Sequence, residues 1–204
     1  YETIGDWEEK TIGFISRNES KNYNFIYDQI VSKGEFLSTN IVYHFLKKQG
    51  VKVRFTDARD LIRTDRSYTD ANVQWDKTQS LMDTELSNLE EEVVITQGFI
   101  AANAEMLYTT LGREGSDFTA AIIAKCTNTK ELTIWKDVDG VFTADPKKFP
   151  DATIVPRLSY KEAVEMTFYG AQIIHPKTIK PIQNSNCVLK VRSFIEKSAV
   201  KQCF

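Results

Sequence analysis

The sequence predicts an α/β fold, a three-layer α/β/α sandwich built on a mainly parallel sheet. Strand-like and helix-like stretches alternate along the 204 residues, which is the order typical of this class. Val93–Ile95 opens a continuous apolar run, as expected of a strand covered on both faces in a parallel sheet. A helical stretch over Phe118–Lys125 and a short strand over Leu132–Trp135 follow it. We therefore predict a strand–helix–strand unit with Val93–Ile95 as its central strand.

Two helices are predicted near the start of the chain. Apolar residues four positions apart indicate a short amphipathic helix over 23–32 that ends at Gly34. A second helix is predicted over 35–49, with Gly50 at its C-terminal end. Residues 1–17 have too little periodicity to predict an element.

A strand, a loop and a third helix are predicted next. Val51–Phe55 alternates apolar with charged residues, which predicts a strand near the edge of the sheet. The polar segment 65–72 is predicted as a loop. Asp70 or Asn72 is a candidate N-cap for the helix that follows over 75–89.

The C-terminal part of the chain carries three further signals. Ser159 and Glu162 have the spacing of a capping box at the start of a helix. Another helix is predicted from Pro176, and Pro181 indicates a kink or an early end. Val188–Phe194 predicts a final strand.

Composition restricts the classes of function. The chain has a length that fits one large domain, a net charge of -2 and a pI near 5.8. A protein that binds nucleic acid through its phosphates would carry a basic excess, so nucleic acid is not an expected partner. Cys126, Cys187 and Cys203 have neither disulfide nor zinc spacing, which favours a reducing, cytoplasmic location. No apolar stretch approaches the length of a membrane span, so no membrane association is expected.

The turn around Arg113 is interpreted as an anion-binding site. Gly112 and Gly115 flank this arginine and permit positive φ angles. Ser116 or Asp117 is a candidate N-cap for the helix that follows, and a helix start offers unpaired N–H groups to an anion. The planar guanidinium matches a carboxylate or a phosphate. An ordinary strand-to-helix loop with a solvated arginine is the alternative.

Five motifs, taken in order, resemble the aspartokinase branch of the amino acid kinase family. The resemblance covers roughly 33–194, and the motifs are Gly34–Ser38, Val94–Ile100, Thr110–Asp117, Trp135–Pro146 and Tyr169–Pro176. It implies the amino acid kinase fold and transfer of the γ-phosphate of ATP to the β-carboxylate of L-aspartate. This reaction gives 4-phospho-L-aspartate, the first step toward lysine, threonine and methionine. The resemblance also implies Mg²⁺ as a cofactor and a homodimer.

The resemblance assigns roles to residues of an amino-acid pocket. Arg113 would pair with a carboxylate of the substrate, and Glu35 would accept its α-ammonium group. Phe99, Thr110 and Ser116 would line the pocket. Without the resemblance, Glu35 is equally a first-turn residue that the helix dipole stabilises. Capping by Ser116 and contact with the substrate are compatible roles.

The resemblance also implies a nucleotide site. Lys136, Asp137, Phe142, Lys147 and Gln172 would contact ATP, although the family often has lysine at the last of these positions. Plain turn formation is the alternative for the aspartate.

For the metal, the resemblance implies Mg²⁺ bridging the phosphates, with Asp117 as one candidate carboxylate and Arg113 beside it in the catalytic centre. No dedicated metal cluster of protein side chains is predicted. The aspartate is alternatively a first-turn helix residue. His175, before Pro176, is expected to be a packed or capping histidine rather than a general base.

One part of the family pattern has no match in the sequence. The family opens with a strand that ends in Lys-Phe-Gly-Gly-Thr, and residues 1–204 contain no such motif, no P-loop and no Gly-x-Gly-x-x-Gly. We interpret 1–204 as a catalytic domain that is incomplete at its N-terminus, with the first strand and the phosphate loop missing and without a regulatory ACT domain. The alternatives are a sibling kinase for glutamate, acetylglutamate or UMP, and a non-catalytic amino-acid-binding module.

Overall fold

The computed structural model describes most of the chain as two compact units. These units are Tyr1–Thr119 and Ala120–Phe204. The described residues are 4–137, 140–144, 148–168, 174–195 and 202–203. Lys147 and Gln172, two predicted nucleotide contacts, lie outside them. A search of the described helices finds none with the length and apolarity needed to cross a membrane.

Two helices open the first unit, α1 over Ile4–Arg17 and α2 over Tyr23–Lys48. The sequence predicted no element at α1. The predicted break at Gly34 is wrong, because α2 continues through this glycine. A Cβ added at Gly34 would meet no atom within 4 Å, and a lone exposed glycine costs a helix only about 0.5–1 kcal/mol. Glu35 therefore lies in the middle of a helix, far from the dipole of a first turn.

The end of α2 agrees with the prediction for Gly50. This glycine has φ +82, and its N–H donates to the carbonyl of Lys47 at 3.1 Å. The N–H of Val51 donates to the carbonyl of Leu46 at 3.2 Å. The two bonds form the glycine-based motif that commonly ends a helix.

Four strands of the first unit form two small sheets. β1 (Val53–Phe55) pairs in parallel with β2 (Val93–Ile95), and β3 (Ile100–Ala102) pairs antiparallel with β4 (Tyr108–Thr110). The prediction that Val93–Ile95 is covered on both faces is wrong, because Val93 is 37% exposed and, among the described strands, β2 pairs with β1 alone. The chain turns after β2, and the fully buried part of the apolar run is β3.

Two helices lie between β1 and β2, namely α3 (Ala58–Leu61) and α4 (Trp75–Glu85). The predicted loop over 65–72 is confirmed, but neither predicted N-cap serves α4. The cap position is Gln74, which makes no capping bond through its side chain. Asn72 instead donates its side-chain N–H to Asp65 Oδ2 at 2.8 Å. The Asn72 amide therefore stabilises the loop and does not cap the helix.

The second unit is a small α/β body. Parallel strands β5 and β6 pair along their full length, and β7 adds antiparallel to β6. Helix α5 (Gly115–Cys126) begins in the first unit and ends in the second. The elements that follow it are β5 (Glu131–Lys136), α6 (Tyr160–Phe168), α7 (Pro176–Ile179), β6 (Val188–Ser193) and β7 (Gln202–Cys203). The sequence did not predict β7. Helices alternate with strands, so the α/β prediction is confirmed.

The helix ends of the second unit follow the sequence signals. The N–H of Glu162 donates to Ser159 Oγ at 3.2 Å, and the N–H of Ser159 donates to Glu162 Oε2 at 2.7 Å. The capping box is thus confirmed. His175 Nδ1 accepts from the N–H of Lys177 at 3.2 Å, so this histidine caps α7, as predicted. Cys126 and Cys187 are buried and form no disulfide.

We predict that Gly34→Ala raises the free energy of unfolding by about 0.5–1 kcal/mol, because alanine loses less backbone entropy in a helix. Urea unfolding monitored by circular dichroism measures this change. Gly50→Ala is the matched control and should lower stability, because its φ of +82 disfavours a Cβ. A loss of stability in Gly34→Ala would mean that α2 does break there.

Candidate amino-acid and nucleotide sites

The turn between β4 and α5 has the left-handed backbone that an anion-binding turn needs. Gly112 has φ +76, which confirms the positive φ predicted for it. Gly115 does not have a positive φ, and the residue that does is Glu114, with φ +54. A non-glycine residue in this region is uncommon and often marks a functional turn.

Helix α5 begins earlier than predicted. The N–H of Phe118 donates to the carbonyl of Glu114 at 3.0 Å, so Gly115 is the first helical residue. Ser116 and Asp117 consequently lie in the first turn, and the prediction that one of them is the N-cap is wrong. Ser116 is exposed and Asp117 is half-buried. An acidic residue here is favourably placed against the helix dipole.

A second strained turn lies directly against this helix start. The N–H of Ile100 donates to the carbonyl of Gly98 at 2.8 Å, and Phe99 between them has φ +69. These values match the rare, strained form of the three-residue γ-turn. The N–H of Phe99 donates to Thr119 Oγ1 at 3.0 Å, which fixes this turn to α5.

Two glycines allow the turn and the helix to touch. A Cβ added at Gly98 would lie 2.9 Å from Cβ of Ser116. A Cβ added at Gly115 would lie 2.6 Å from Cδ2 of Phe99. Both distances are too short for real side chains, so only glycine fits. The structure thus brings together two predicted pocket residues, Phe99 and Ser116.

Thr110, a third predicted pocket residue, is fully buried at the end of β4. Its N–H donates to Asp28 Oδ2 at 2.9 Å, and its hydroxyl donates to Asp28 Oδ1 at 2.8 Å. Its carbonyl accepts from the N–H of Ala71 at 2.9 Å. The N–H of Thr69 also donates to Asp28 Oδ2, at 3.0 Å. Thr110 therefore connects three segments of the first unit.

The carboxylate that makes these bonds belongs to α2 and is 0% exposed. Burial raises the pKa of Asp28, and the bonds from Thr69 and Thr110 act in the opposite direction. The next residue, Gln29, donates its side-chain N–H to the carbonyl of Tyr108 at 2.8 Å and accepts from the N–H of Tyr108 at 3.2 Å. Adjacent side chains of one helix thus bond along the free edge of β4.

The two charged candidates differ in their surroundings. Arg113 is exposed, and Glu35 is half-buried on α2. Burial raises the pKa of Glu35 above the usual 4.5. Within the described part of the chain, neither side chain makes an ion pair with the other or with any other residue. A partly buried carboxylate without a counter-charge is a candidate for ligand binding.

The described nucleotide candidates lie in the second unit. Lys136 ends β5 opposite Ser193 of the parallel strand β6, and Asp137 follows it, exposed. The carboxyl ends of parallel strands are where α/β proteins bind nucleotides. Phe142 is half-buried and forms an isolated bridge with Ile154. A cation, a carboxylate and an apolar ring are suitable contacts for a nucleotide.

No group of three or more potential metal-ligating side chains occurs among the residues that the structure describes. Asp117 offers one carboxylate, and its Oδ2 is shielded from solvent. Mg²⁺ bound through nucleotide phosphates needs only one or two protein carboxylates. The donor set therefore fits a magnesium ion that arrives with a nucleotide.

A cavity of about 750 Å³ lies beside α2 and β1. Its charged and aromatic lining includes Arg59, whose guanidinium pairs with Asp57 at 2.8 Å and stacks 4.6 Å from the ring centroid of Tyr108. The arginine is thus held by the protein itself. None of the predicted amino-acid contacts lines this cavity.

Sequence reasoning missed the polar side chains that support the turn, namely Asp28, Gln29 and Thr69. In the sequence alone, Asp28 and Gln29 have the pattern expected of the solvated face of an amphipathic helix. Their bonds join residues 41 to 82 positions apart. No local pattern carries such information, although Asp28 and Glu35 share one helix face by their spacing of seven.

A protein-family model matches most of the sequence. The model described as "Amino acid kinase family" matches residues 4–193. The match covers both units and most of the described residues.

The proteins similar to the chain include two curated relatives and one solved structure. The bifunctional aspartokinase/homoserine dehydrogenase 2 of Zea mays is 36% identical over 84% of the chain and 19% of the relative. The lysine-sensitive aspartokinase 3 of Escherichia coli is 35% identical over 81% of the chain and 37% of the relative. The crystal structure of E. coli aspartokinase III with aspartate and ADP has a TM-score of 0.88 and 30% identity, over 98% of the chain and 45% of that protein. The chain thus spans less than half of each.

Proposed function

Because the chain belongs to the amino acid kinase family, we propose that it forms part of an aspartokinase, which transfers the γ-phosphate of ATP to the β-carboxylate of L-aspartate. The observation that carries the proposal is the hydrogen-bonded joint between α2 and β4. Through this joint, the helix that carries the carboxylate of Glu35 is bonded to the strand that leads into the Arg113 turn. A cation and an anion on two linked elements suit a zwitterionic amino acid.

Each pocket residue has a defined role in this proposal. The guanidinium of Arg113 binds a carboxylate of aspartate through two of its five donors. Glu35 accepts the α-ammonium group. Phe99 and Ser116 line the pocket at the start of α5, and the buried Thr110 supports the turn from below. The presence of one cation and one anion favours a free amino acid over a nucleotide acceptor such as UMP.

The second unit contributes the nucleotide contacts. Lys136, Asp137 and Phe142 are proposed to hold ATP at the carboxyl ends of β5 and β6, together with Lys147 and Gln172, whose structure is not described. Asp117 is proposed to bind Mg²⁺. The nucleotide is the proposed phosphoryl donor, and a magnesium ion held by Asp117 would neutralise charge on its phosphates.

The proposed phosphoryl transfer does not require a general base to activate the acceptor. The β-carboxylate of aspartate is ionised at neutral pH and acts directly as the nucleophile. The residues therefore act by alignment and by neutralising charge. Arg113 has the main part in this, because it holds the acceptor in place and adds positive charge to the centre.

Several properties of the whole protein remain proposals, because the chain spans only 19% and 37% of two curated relatives. We propose a catalytic domain within a longer aspartokinase, and a reducing, cytoplasmic location in keeping with the buried cysteines Cys126 and Cys187, which form no disulfide. We also propose a homodimer. Ile41, Val42 and Phe45 of α2 are 46–59% exposed and would suit a subunit contact; sedimentation of the full-length protein tests this.

We predict that the chain binds L-aspartate and that Arg113→Ala weakens this binding by about 1.5–3 kcal/mol, because a charge-assisted hydrogen-bond pair is lost. Arg113→Lys should recover little, since an ammonium group cannot reproduce the planar fork. Isothermal titration calorimetry measures both. Wild-type affinity in Arg113→Ala would remove the arginine from the site.

We predict that Glu35→Gln weakens aspartate binding and that N-acetyl-L-aspartate, which lacks the α-ammonium group, binds poorly to the wild type. Aspartate affinity should also fall as the pH is lowered through the raised pKa of Glu35, above the usual 4.5.

The stability of the fold should respond in the opposite direction. The folded state binds this proton more tightly than the unfolded state, so the contribution of Glu35 to stability rises as the pH falls through that pKa. Calorimetry and urea unfolding at matched pH values separate the two effects. Equal binding of aspartate and its N-acetyl derivative would contradict the role of Glu35.

A further inference from the structure

One face of α2 is polar and yet buried. Asp28, Ser32, Glu35 and Thr39 follow one another at intervals of four, three and four, so they share one side of the helix. Asp28 and Ser32 are 0% exposed, and Thr39 is 8% exposed. A helix in a globular protein normally buries an apolar stripe, so this polar face calls for a specific reason.

The carboxylate of Asp28 connects three separate segments of the first unit. It belongs to α2, it accepts from the N–H of Thr69 in the 65–72 loop, and it accepts from both the N–H and the hydroxyl of Thr110 in β4. A buried carboxylate is costly unless hydrogen bonds compensate for the lost water. Here three donors at 2.8–3.0 Å do so.

The same connection continues into the Arg113 turn. The N–H of Ala71 donates to the carbonyl of Thr110 at 2.9 Å. Asp70 packs against Gly112 so closely that an added Cβ would lie 2.9 Å from Asp70 Cγ. The 65–72 loop is therefore the support on which the turn lies. Thr69, a β-branched residue with φ +69, pays a conformational cost to stay there.

We infer that Asp28 is a positioning residue of the amino-acid site. Its carboxylate holds α2, which carries Glu35, and the loop beneath Gly112, which supports Arg113, at one fixed separation, without itself touching the substrate. The inference rests on the proposed function, since it names what the two positioned charges bind. It adds that their spacing is set by a residue on the buried face of α2.

If the role of Asp28 were purely structural, its loss would act only through stability. A variant of Gln29 serves as the control that distinguishes a structural role from a positioning role. Gln29 also makes two buried bonds from α2 to β4, but both go to Tyr108, and none goes to the 65–72 loop. Gln29→Met removes these bonds at similar volume. It should lower stability without altering the support of the turn.

The experiment compares Asp28→Asn with Gln29→Met in the 204-residue chain. Asparagine keeps the shape of the side chain but cannot accept from all three donors in the observed arrangement. We expect Asp28→Asn to lower L-aspartate affinity about tenfold in calorimetry, as expected when buried donors lose their charged acceptor. Affinity for ADP should be unchanged. Gln29→Met should leave aspartate affinity near that of the wild type, even where urea unfolding shows an equal loss of stability.

A second readout does not depend on aspartate. Trypsin cleavage after the exposed Arg113 requires the turn to open locally. Its initial rate, followed by mass spectrometry, should rise severalfold in Asp28→Asn relative to Gln29→Met. If Asp28→Asn fails to fold, Thr110→Val, which removes only the hydroxyl bond, should show smaller changes in the same direction.

The outcomes separate the two proposals. Equal effects of Asp28→Asn and Gln29→Met on affinity and on cleavage would overturn the positioning role. If the wild type binds no aspartate, the proposed function fails and the cleavage rates alone decide the inference. Unchanged cleavage after Arg113 in Asp28→Asn would then overturn it, and faster cleavage would support it.

Discussion

The architecture of the first unit depends on one buried carboxylate. Asp28 is inaccessible to solvent and accepts three hydrogen bonds from two segments remote in sequence. Each bond to a charged acceptor contributes about 1.5–3 kcal/mol, and loss of the acceptor leaves buried donors unsatisfied. Helix α2, the 65–72 loop and β4 are thereby tied at one point. Glu35 lies on α2, and Arg113 follows β4. The two charges proposed to bind aspartate are therefore on segments that Asp28 connects.

Three of the non-glycine residues with positive φ in this unit lie in the segments around the same joint, whereas Asn88 and Met106 lie elsewhere in it. Thr69, Phe99 and Glu114 all have positive φ angles without being glycine, and they are bonded to α2, to α5 and to the first turn of α5 respectively. Strain of this kind costs about 1–3 kcal/mol per residue and persists where surrounding contacts enforce it. The bonds from Thr69 to Asp28 and from Phe99 to Thr119 are such contacts. These bonds hold the strained backbone in place beside the proposed amino-acid site.

Local signals in the sequence predicted local structure well. The capping box at Ser159, the glycine end of α2 at Gly50 and the left-handed Gly112 are each specified by neighbouring residues, and all are confirmed. The break at Gly34 and the two-sided burial of β2 are wrong, because tertiary packing decided them. The hydrogen bonds of Asp28 could not be predicted from the sequence, since a polar helix face has the same pattern whether it contacts water or a distant strand. The ordered motifs suggested the amino acid kinase family, which the family match confirms.

Asp28 holds the 65–72 loop through the amide of Thr69, and this amide therefore reports directly on the contact. This N–H lies in a loop without regular secondary structure, and its hydrogen-bond acceptor is Asp28 Oδ2 at 3.0 Å. Residue-resolved hydrogen exchange by NMR on the wild-type chain measures how often the bond opens. We predict that Thr69 exchanges as slowly as Thr110 in β4, because one carboxylate protects both. Exchange of Thr69 at the rate of an unprotected loop amide, with Thr110 protected, would contradict the account.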